Sequence, residues 1–314
     1  MRVLITGSAG FIGSAVAEDL VAQGMDVVGI DNFDPYYDRS LKEDNLTTLN
    51  KASNFSFVEG DIRSKDQIGN LSRSTWDVIV HLAAKAGVRP SIEDPLGYDQ
   101  TNITATMHLL ELAAKQKNPP RFVFASSSSV YGNNKKLPFS ETDPVDHPIS
   151  PYAATKKAGE LLCHTYHHLY GLPVHCLRFF TVFGPRQRPD LAINKFTRLF
   201  LSGKPIQMYG DGTSSRDYTY IDDIALGVRK AVERCSGYEV INLGSRQPIS
   251  LREMIQVVAQ ACDVVPTIEE LPMQPGDVNH TFADTDKAER LLDHKPQVTF
   301  EDGIQAFVNW FRQQ

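Results

Sequence analysis

The sequence predicts an α/β protein in which helices cover both sides of a parallel β-sheet, with a smaller C-terminal α/β domain beside it. Two observations support this prediction. Short apolar runs alternate with helix-like stretches through the first half of the 314-residue chain, and several runs are apolar at nearly every position. Runs of this kind are typical of strands that are buried on both faces. Such a βαβ series folds as a doubly wound parallel sheet.

The predicted elements follow one another in a regular order. Six strands are expected, at residues 3–6, 27–30, 55–58, 78–81, 122–125 and 174–179. Helical patterns are found at residues 12–23, 100–115 and 151–170. The pattern then changes to a polar loop at 184–190, a helix at 194–202 and a late strand at 240–243. We expect a first domain at residues 1–180, with a returning segment near 217–260, and a second domain at 181–314, packed together around a cleft.

Composition and charge argue against several classes of protein. The formal net charge is −6, whereas a nucleic-acid partner requires a basic face. The apolar runs fall far short of the roughly 18 residues that a membrane helix needs, so no membrane partner is expected. The first strand begins at Arg2, which leaves no room for a signal peptide, and the four cysteines lack metal-ligand spacing. These features predict a cytoplasmic protein without a metal site.

A glycine-rich turn joins the first predicted strand to the first helix. Gly7 permits the tight turn, Gly10 lets the backbone approach a pyrophosphate, and Gly13 allows the helix to pack closely on the strand. The phosphates would then lie at a helix N-terminus, among free N–H groups. Glycines in a turn are often only a turn, but this position between a strand and a helix favours dinucleotide binding.

The second predicted strand ends at Asp31, 18 residues after Gly13. A carboxylate there accepts hydrogen bonds from both hydroxyls of an adenosine ribose and repels a 2′-phosphate, so NAD is favoured over NADP. Asp61 follows the third strand and fits either an adenine contact or the N-cap of the next helix. Further cofactor contacts are expected beside the glycines and after the sheet strands, from Phe11, Ile12, Asn32, Ile62, Leu82, Ala83, Ala84, Lys85 and Asn102.

Tyr152 and Lys156 are four residues apart on a predicted helix and therefore share one helix face. A free phenol has a pKa near ~10, and a neighbouring cation lowers it. A phenolate beside a nicotinamide is suited to remove an alcohol proton during hydride transfer. Ser127, in the upstream serine run, is the expected hydrogen-bond partner of the reacting hydroxyl. A Tyr-Lys pair with this spacing also arises by chance in helices, but its order after a glycine turn and a serine run favours catalysis.

Four segments carry a resemblance to a known family, at residues 124–132, 178–189, 216–223 and 274–277. With them, the chain resembles an extended short-chain dehydrogenase/reductase of the nucleotide-sugar epimerase branch, over essentially its whole length. The resemblance implies a Rossmann-type NAD domain, a C-terminal substrate-binding domain and a homodimer. It also implies that NAD stays bound and is recycled. Tyr152 would act as base and acid, and Lys156 would bind the nicotinamide ribose.

Ser128 and Ser129 separate this chain from relatives that run other reactions. Sugar 4,6-dehydratases resemble it but carry Asp-Glu at these positions, and glucuronate decarboxylases carry Glu at the second. Epimerisation needs neither acid and is therefore the predicted reaction. A neutral-sugar epimerase acting on UDP-glucose or UDP-N-acetylglucosamine and a UDP-glucuronate decarboxylase stay open as alternatives. A non-catalytic NAD sensor is disfavoured, because such proteins commonly lose the Tyr152 and Lys156 pair.

Thr181 bears on the choice of sugar, because many neutral-sugar 4-epimerases carry Asn there. This segment is similar to that of UDP-glucuronate 4-epimerases, as are residues 36–38, 86–89 and 274–277. Hydroxyls at Ser128, Ser129 and Thr181 would hold the carboxylate of UDP-glucuronate with neutral donors. Oxidation at C4 makes a β-keto acid, which loses CO₂ readily unless its carboxylate is held in an unproductive orientation.

The nucleotide is expected to contact the second domain. By resemblance, Tyr209 stacks on uracil, while Arg216 pairs with the diphosphate and Arg188 reaches the same region. The alternative for Arg216 is a surface ion pair with Asp217 or Asp211. Further substrate contacts are expected from Arg89 and Asp277. Many relatives carry Arg where this chain has Gln274, which puts one phosphate contact in doubt.

Overall fold

The computed structural model describes residues 1–272 and 279–314. Its strands are β1 (Arg2–Thr6), β2 (Asp26–Asp31), β3 (Phe55–Glu59), β4 (Val78–His81), β5 (Arg121–Ser127), β6 (Val174–Phe179), β7 (Thr181–Phe183), β8 (Ile206–Tyr209), β9 (Ser215–Tyr220), β10 (Tyr238–Leu243), β11 (Pro248–Ser250) and β12 (Ile268–Leu271). Its helices are α1 (Phe11–Ala22), α2 (Arg39–Leu46), α3 (Lys65–Leu71), α4 (Val88–Glu93), α5 (Pro95–Asp99), α6 (Ala105–Ala114), α7 (Pro151–Tyr170), α8 (Ala192–Leu201), α9 (Ile221–Arg234), α10 (Leu251–Cys262), α11 (Asp286–Leu292) and α12 (Phe300–Phe311).

Seven parallel strands form the central sheet, in the order β3-β2-β1-β4-β5-β6-β10. The predicted doubly wound sheet is confirmed, and the late strand predicted at 240–243 is the end of β10. The strand order reverses between β1 and β4. Because the connections after these two strands leave in opposite directions, a crevice opens at their carboxyl ends, where this fold binds its ligands.

Both faces of the sheet are buried, which explains the continuous apolar runs. Val3 and Ile5 of β1 belong to the core beneath α1 and α9, whereas Leu4 belongs to the core beneath α3, α6 and α7. Adjacent side chains of a strand point to opposite faces, so a strand covered on both sides needs apolar residues at consecutive positions.

Two smaller sheets lie beyond the central one, β11-β9-β7 and β12-β8. Phe183 of β7 joins the first of these sheets to the main core, and Ile206 and Met208 of β8 belong to the same core. The Phe183 ring lies 5.0 Å from that of Phe300 in α12 and 5.7 Å from that of Tyr220 at the end of β9. These side chains belong to the same buried cluster as Val3 and Ile5, so the C-terminal elements pack directly on the central sheet.

The helix predicted at 100–115 is not regular along its length. Residues Gln100–Thr104 form a π-helical turn, and α6 follows it. This turn carries Asn102, whose side chain makes the tertiary contacts described below. Side-chain spacing alone could not reveal the turn, because a π-helical turn changes the position of only a few side chains.

Helix α7 has a defined start and end. Ser150 is its N-cap and accepts a hydrogen bond from the Ala153 N–H at 3.2 Å, and Pro151 occupies the first turn. Gly171 ends the helix in the left-handed conformation, with φ of 66°. These signals fix Tyr152 in the first turn, where the helix dipole favours negative charge.

Within the described ranges, no helix has both the length and the apolar character needed to cross a membrane.

Candidate active site

A cavity of about 600 Å³ opens at the carboxyl ends of β1 and β4. This volume is typical of a small-molecule site. Its walls contain most of the residues predicted to bind a cofactor or take part in catalysis: Gly7, Gly10, Phe11, Ile12, Gly13, Asp31, Asn32, Asp61, Ile62, Leu82, Ala83, Ala84, Lys85, Ser127, Tyr152, Lys156, Thr181 and Arg188. The cavity therefore joins the glycine turn to the Tyr-Lys pair, which are far apart in the sequence.

The glycine turn brings backbone into contact with backbone. Gly7 has φ of +75°, and a Cβ placed there would lie 2.7 Å from the Ala83 nitrogen. A Cβ on Gly13 would lie 1.9 Å from the Gly7 carbonyl oxygen. Helix α1 begins at Phe11 after Gly10, with no side chain capping its first N–H groups. This open helix N-terminus in the cavity wall suits a pyrophosphate.

Asp31 is held at the end of β2 by two backbone donors. Its carboxylate oxygens accept from the Phe33 N–H at 2.9 Å and the Ala9 N–H at 3.1 Å. Burial raises the pKa of Asp31, although these hydrogen bonds and the charge of Lys42 oppose the rise. The carboxylate is thus fixed in place, facing the cavity.

Lys42 is a cavity residue that the sequence reasoning missed. Its side chain is buried, Nζ donates to the Asp34 carbonyl oxygen at 2.6 Å, and the ammonium lies 4.5 Å from the centre of the Tyr37 ring. Burial lowers its pKa, and the nearby Asp31 opposes that effect. The structure shows why it lies there, since α2 buries Lys42, Asn45 and Leu46 on one face.

Asp61 and Asn32 meet at the far edge of the cavity. Asn32 Nδ2 donates to Asp61 Oδ2 at 3.0 Å, and Arg63 contacts the same oxygen at 2.6 Å. Hydrogen bonds from Arg63 lower the pKa of Asp61 to about 2, so it stays charged. The alternative interpretation of Asp61 as an N-cap is wrong, because Ser64 caps α3.

Asn102 lies behind the cavity wall. Its Oδ1 accepts from the Lys85 N–H at 2.9 Å, while Nδ2 donates to the Lys85 carbonyl oxygen at 2.9 Å and to Thr155 Oγ1 at 3.0 Å. Both polar atoms of its amide are thus used in holding the chain at Lys85 against α7. In this structure Asn102 orients a wall of the cavity from behind.

His81 is a second buried connector, at the end of β4. Its ring nitrogens lie 2.8 Å from Thr6 Oγ1 and 2.8 Å from Thr106 Oγ1. Thr106 donates onward to the Asn102 carbonyl oxygen at 2.7 Å. Burial lowers the pKa of His81 to about 3, so the ring is neutral and serves as a hydrogen-bonded link between β1 and the π-helical turn.

Ser127, Tyr152 and Lys156 meet on the wall opposite the glycine turn. Ser127 ends β5, and its Oγ accepts from the Ser129 N–H at 3.2 Å and donates to Ser129 Oγ at 3.1 Å. Tyr152 lines the cavity beside Ser127, and the Tyr98 ring packs edge-on against the Tyr152 ring with centroids 6.2 Å apart. Lys156 Nζ donates to the Ala125 carbonyl oxygen at 2.7 Å. The three predicted catalytic side chains therefore occupy one wall.

The electrostatics of Tyr152 differ from the expectation. Burial raises the pKa of Tyr152. Two groups oppose this rise, the Ser127 hydroxyl and the positively charged Arg188. Lys156 was expected to supply that effect, but burial lowers its own pKa to about 7. Its Nζ is bound to a backbone carbonyl and lies 6.0 Å from the centre of the Tyr152 ring.

Arg188 crosses from the second half of the chain to the cavity. It forms a two-point ion pair with Asp190, with Nε–Oδ1 of 3.0 Å and Nη2–Oδ2 of 2.8 Å. Its guanidinium lies 5.1 Å from the centre of the Tyr36 ring, and the Tyr36 hydroxyl donates to Asp190 at 3.3 Å. The loops after β2 and β7 therefore meet over the cavity.

The other described residues that were predicted to bind substrate do not line the cavity. Ser128 and Ser129 follow Ser127 in a short 3-10 helix and are not among the lining residues. The Arg89 guanidinium lies 5.7 Å from the centre of the Tyr209 ring, which joins α4 to β8.

Arg216 donates to the carbonyl oxygens of Ser215, at 2.9 Å, and Asn279, at 3.3 Å. The carboxylate of Asp217 accepts instead from the backbone N–H groups of Ser245, Arg246 and Ala283. Gln274 and Asp277 lie outside the described residues.

Histidines on α7 make packing contacts. The His164 ring packs edge-on against Tyr238 at 4.9 Å, and His167 Nδ1 lies 2.8 Å from the Leu172 carbonyl oxygen. In the part of the chain that the structure describes, no group of three or more His, Cys, Asp or Glu side chains is arranged to hold a metal ion.

Comparison with known proteins identifies the family. The family model described as GDP-mannose 4,6 dehydratase matches residues 4–307. The chain belongs to this family. The family is named after one of the activities found within it. This chain has Ser128 and Ser129 at the two positions where the acid pair of a 4,6-dehydratase is expected.

Individual members of the family are similar over the whole chain. A UDP-glucuronate 4-epimerase of Thermodesulfobacterium geofontis is 44% identical over 312 residues, covering 99% of this chain and 96% of its own. The crystal structure of UDP-glucuronic acid 4-epimerase from Bacillus cereus, in complex with UDP-glucuronic acid and NAD, is 39% identical with a TM-score of 0.94, covering 100% and 99%. A UDP-glucose 4-epimerase of Thermotoga maritima, solved with UDP-glucose, is 32% identical with a TM-score of 0.90, covering 100% and 99%.

Replacing Lys156 by Met tests the buried amine. Its folded pKa of about 7 lies below its ordinary value of 10.5, so between these values the unfolded chain binds more protons than the folded one. The contribution of Lys156 to stability therefore increases as pH rises from 7 to 10.5. We expect Lys156→Met to raise Tm relative to the parent at pH 6 and to lose that advantage by pH 10, as measured by calorimetry.

Lys65→Met, at an exposed position of α3, is the control and should change Tm equally at both pH values. An advantage for Lys156→Met that grows with pH would contradict the assignment.

Proposed function

We propose that this protein is an NAD-dependent UDP-sugar 4-epimerase that interconverts UDP-glucuronate and UDP-galacturonate. The observation that carries the proposal is the meeting of Ser127, Tyr152 and Lys156 on one wall of the cavity whose other wall is the glycine turn. The similarity to UDP-glucuronate 4-epimerases along the whole chain supports the same activity.

The side chains divide the chemistry as follows. Tyr152 takes the proton of the sugar 4-hydroxyl and later returns one, while Ser127 hydrogen-bonds the reacting oxygen. NAD, when bound, would supply the acceptor and donor of the C4 hydride. Lys156, which donates to the Ala125 carbonyl oxygen, would hold the nicotinamide ribose. Arg188 lowers the pKa of Tyr152 and so helps it to ionise. No acid stands at Ser128 or Ser129 to drive elimination.

The cofactor is proposed to be NAD, bound tightly and recycled. Asp31 would accept the hydroxyls of the adenosine ribose, and Asn32 and Asp61 would border the adenine. The geometry of the glycine turn supports a pyrophosphate at the start of α1, since Cβ atoms on Gly7 and Gly13 would collide with backbone. The fixed carboxylate of Asp31 disfavours the 2′-phosphate of NADP. We propose residues 1–180, with the segment near 217–260, as the NAD domain.

The substrate would occupy the other half of the cleft, formed mainly by residues 181–314. Thr181 lines the cavity and, with Ser128 and Ser129, is proposed to hold the uronate carboxylate. The uridine diphosphate would contact Arg89, Arg188, Tyr209, Arg216 and Asp277. The contact between Arg89 and Tyr209 supports this assignment, since it brings a cation and an aromatic ring together.

The protein is further proposed to be a cytoplasmic homodimer. Exposed apolar side chains lie on α6 and α7, at Met107, Leu161, Leu169 and Tyr170. A pair of α6–α7 units from two subunits would bury them in a four-helix bundle. All four cysteines are free and buried, which fits a reducing compartment.

Proton NMR of the purified protein with UDP-glucuronate and no added cofactor tests the activity. We expect a UDP-galacturonate anomeric signal to grow without any UDP-pentose. Tyr152→Phe should lose at least about 10²-fold in rate, because it removes the proton acceptor, while its bound NAD, measured after denaturation, stays at the parent level. Near-parental turnover in Tyr152→Phe would refute the role of Tyr152. Parental turnover only with UDP-glucose or UDP-N-acetylglucosamine would refute the choice of sugar.

Thr181→Val tests carboxylate protection. It removes one hydroxyl from the cavity and keeps the shape of the side chain, so we expect UDP-pentose and CO₂ to form beside the epimer, with uronate turnover reduced about tenfold. The control is Thr219→Val on the neighbouring strand β9, where Thr219 is buried away from the cavity. The proposed role of Thr181 would fail if both variants gave the product ratio of the parent protein.

Sedimentation of the parent and of Leu161→Glu tests the dimer. The parent should have twice the 35.0 kDa mass of one chain, and the variant should dissociate because a charge replaces an apolar contact on α7. Val265→Glu, at a residue that is 95% exposed and lies after α10, is the control and should stay dimeric. A parent protein with the mass of one chain would contradict the proposed assembly.

A further inference from the structure

Three polar side chains on one face of α7 lie against the end of β5. Tyr152, Lys156 and Glu160 are spaced four residues apart and therefore lie in one row along the helix. The first lies beside Ser127 in the cavity wall, the second donates to the Ala125 carbonyl oxygen, and the third accepts from Ser126 Oγ at 2.7 Å. We call this set of three contacts the helix–strand ladder. Two of these contacts involve the proposed catalytic residues, and the third, between Glu160 and Ser126, does not.

The contact between Glu160 and Ser126 is buried more completely than the other two contacts. Ser126 is 2% exposed, Glu160 is 1% exposed and Arg178 is 2% exposed. Glu160 Oε1 accepts from both Ser126 Oγ and Arg178 Nε, the latter at 2.8 Å, and Oε2 accepts from Arg178 Nη2 at 2.8 Å. Burial favours the neutral carboxyl, but the hydrogen bonds from Arg178 and Ser126 outweigh it, and the pKa of Glu160 is lowered.

The position of Arg178 ties this carboxylate to a second strand. Ser126 of β5 and Arg178 of β6 are register partners in the parallel sheet. One carboxylate from α7 therefore holds two neighbouring strands at their carboxyl ends. Arg178 is fixed in turn by the Tyr131 ring, 4.7 Å from its guanidinium carbon. Tyr131 lies in the 3-10 helix that follows Ser127, so the arrangement also contacts the segment directly after the serine.

We propose that Glu160 and Ser126, with Arg178 behind them, are positioning residues that set the distance between the Ser127 hydroxyl and the Tyr152 phenol. Glu160 and Arg178 lie outside the cavity wall, and Ser126 lines the cavity but donates its hydroxyl to Glu160. Ser126 is bonded to Ser127 in the chain, so a shift of Ser126 relative to α7 moves Ser127 relative to Tyr152. A displacement of about 1 Å in a reacting geometry is enough to lower a rate by about 10²-fold. The inference rests on the proposed epimerase function.

Ser126→Ala is the direct test, because it removes the hydrogen bond from Ser126 to Glu160 and leaves the Glu160–Arg178 ion pair intact. We expect kcat to fall by about 10- to 100-fold, with KM for the UDP-sugar within about twofold of the parent and bound NAD unchanged. Glu160→Gln should have the same direction of effect on kcat. If Glu160→Gln fails to fold, Ser126→Ala still decides the question.

Asp223→Asn is the matched control for loss of a buried carboxylate. Asp223 in α9 accepts from the N–H groups of Gln297 and Val298, at 2.9 and 3.1 Å, and ties two elements together away from the cavity. It should lower Tm while leaving kcat at the parental value below the transition. A purely structural role for Ser126 and Glu160 predicts the same behaviour for them, and that result would overturn the proposal.

A spectroscopic readout separates this proposal from the proposed function. Protein labelled with ¹³C at tyrosine Cζ gives a Tyr152 signal that is assigned by its absence in Tyr152→Phe. In Ser126→Ala this signal should shift, whereas in Asp223→Asn it should not. If the parent protein converts no UDP-sugar, the proposed epimerase function is wrong. The change in the Tyr152 signal still tests whether Ser126 and Glu160 position Ser127 and Tyr152. An unmoved Tyr152 signal together with parental kcat in Ser126→Ala would overturn the inference.

Discussion

The contact between helix α7 and the carboxyl end of β5 is the interaction on which the rest of the site depends. It holds Lys156 on the Ala125 carbonyl oxygen and places Tyr152 beside Ser127, and the Lys156 and Ser127 side chains are buried. Its innermost part is the Glu160–Arg178 ion pair. Removing one member of such a buried pair costs roughly 3–5 kcal/mol, because the other charge is left without a partner in a medium that solvates it poorly. A large share of the stability of a typical domain therefore depends on the same groups that hold the reactive side chains together.

The opposite wall of the cavity depends on close approach of backbone atoms. Gly7 and Gly13 leave no room for a Cβ, and Ala83 of the neighbouring connection fills the space beside Gly7. This geometry exists because the strand order reverses between β1 and β4, which separates the two connections and opens the crevice. A wall made of backbone N–H groups can approach a phosphate more closely than a wall made of side chains can. The cavity thus has one wall suited to an anion and one wall suited to proton transfer.

Charge in the cavity is controlled mainly by burial. A buried amine and a partly buried phenol both favour their neutral forms, and this is the direction of the pKa changes at Lys156 and Tyr152. Ionisation of Tyr152 therefore needs a compensating cation. Arg188 supplies one from the loop after β7, which couples the ionisation of the phenol to a loop from the second half of the chain. The ion pair between Arg188 and Asp190 keeps that cation in place.

The sequence by itself determined the sheet, the glycine turn and the Tyr-Lys spacing, because each depends on local geometry. Consecutive apolar residues require burial on both faces, and four-residue spacing on a helix brings Tyr152 and Lys156 onto one face. Only the tertiary structure decided which groups tune them. Lys156 binds Ala125, which is 31 positions away in the sequence, and Arg188 acts on Tyr152 from 36 positions away. Glu160 joins Ser126, 34 positions away, to Arg178, 18 positions away. Contacts of this kind depend on how helices and loops pack over strand ends, and no periodic pattern in the chain encodes that packing.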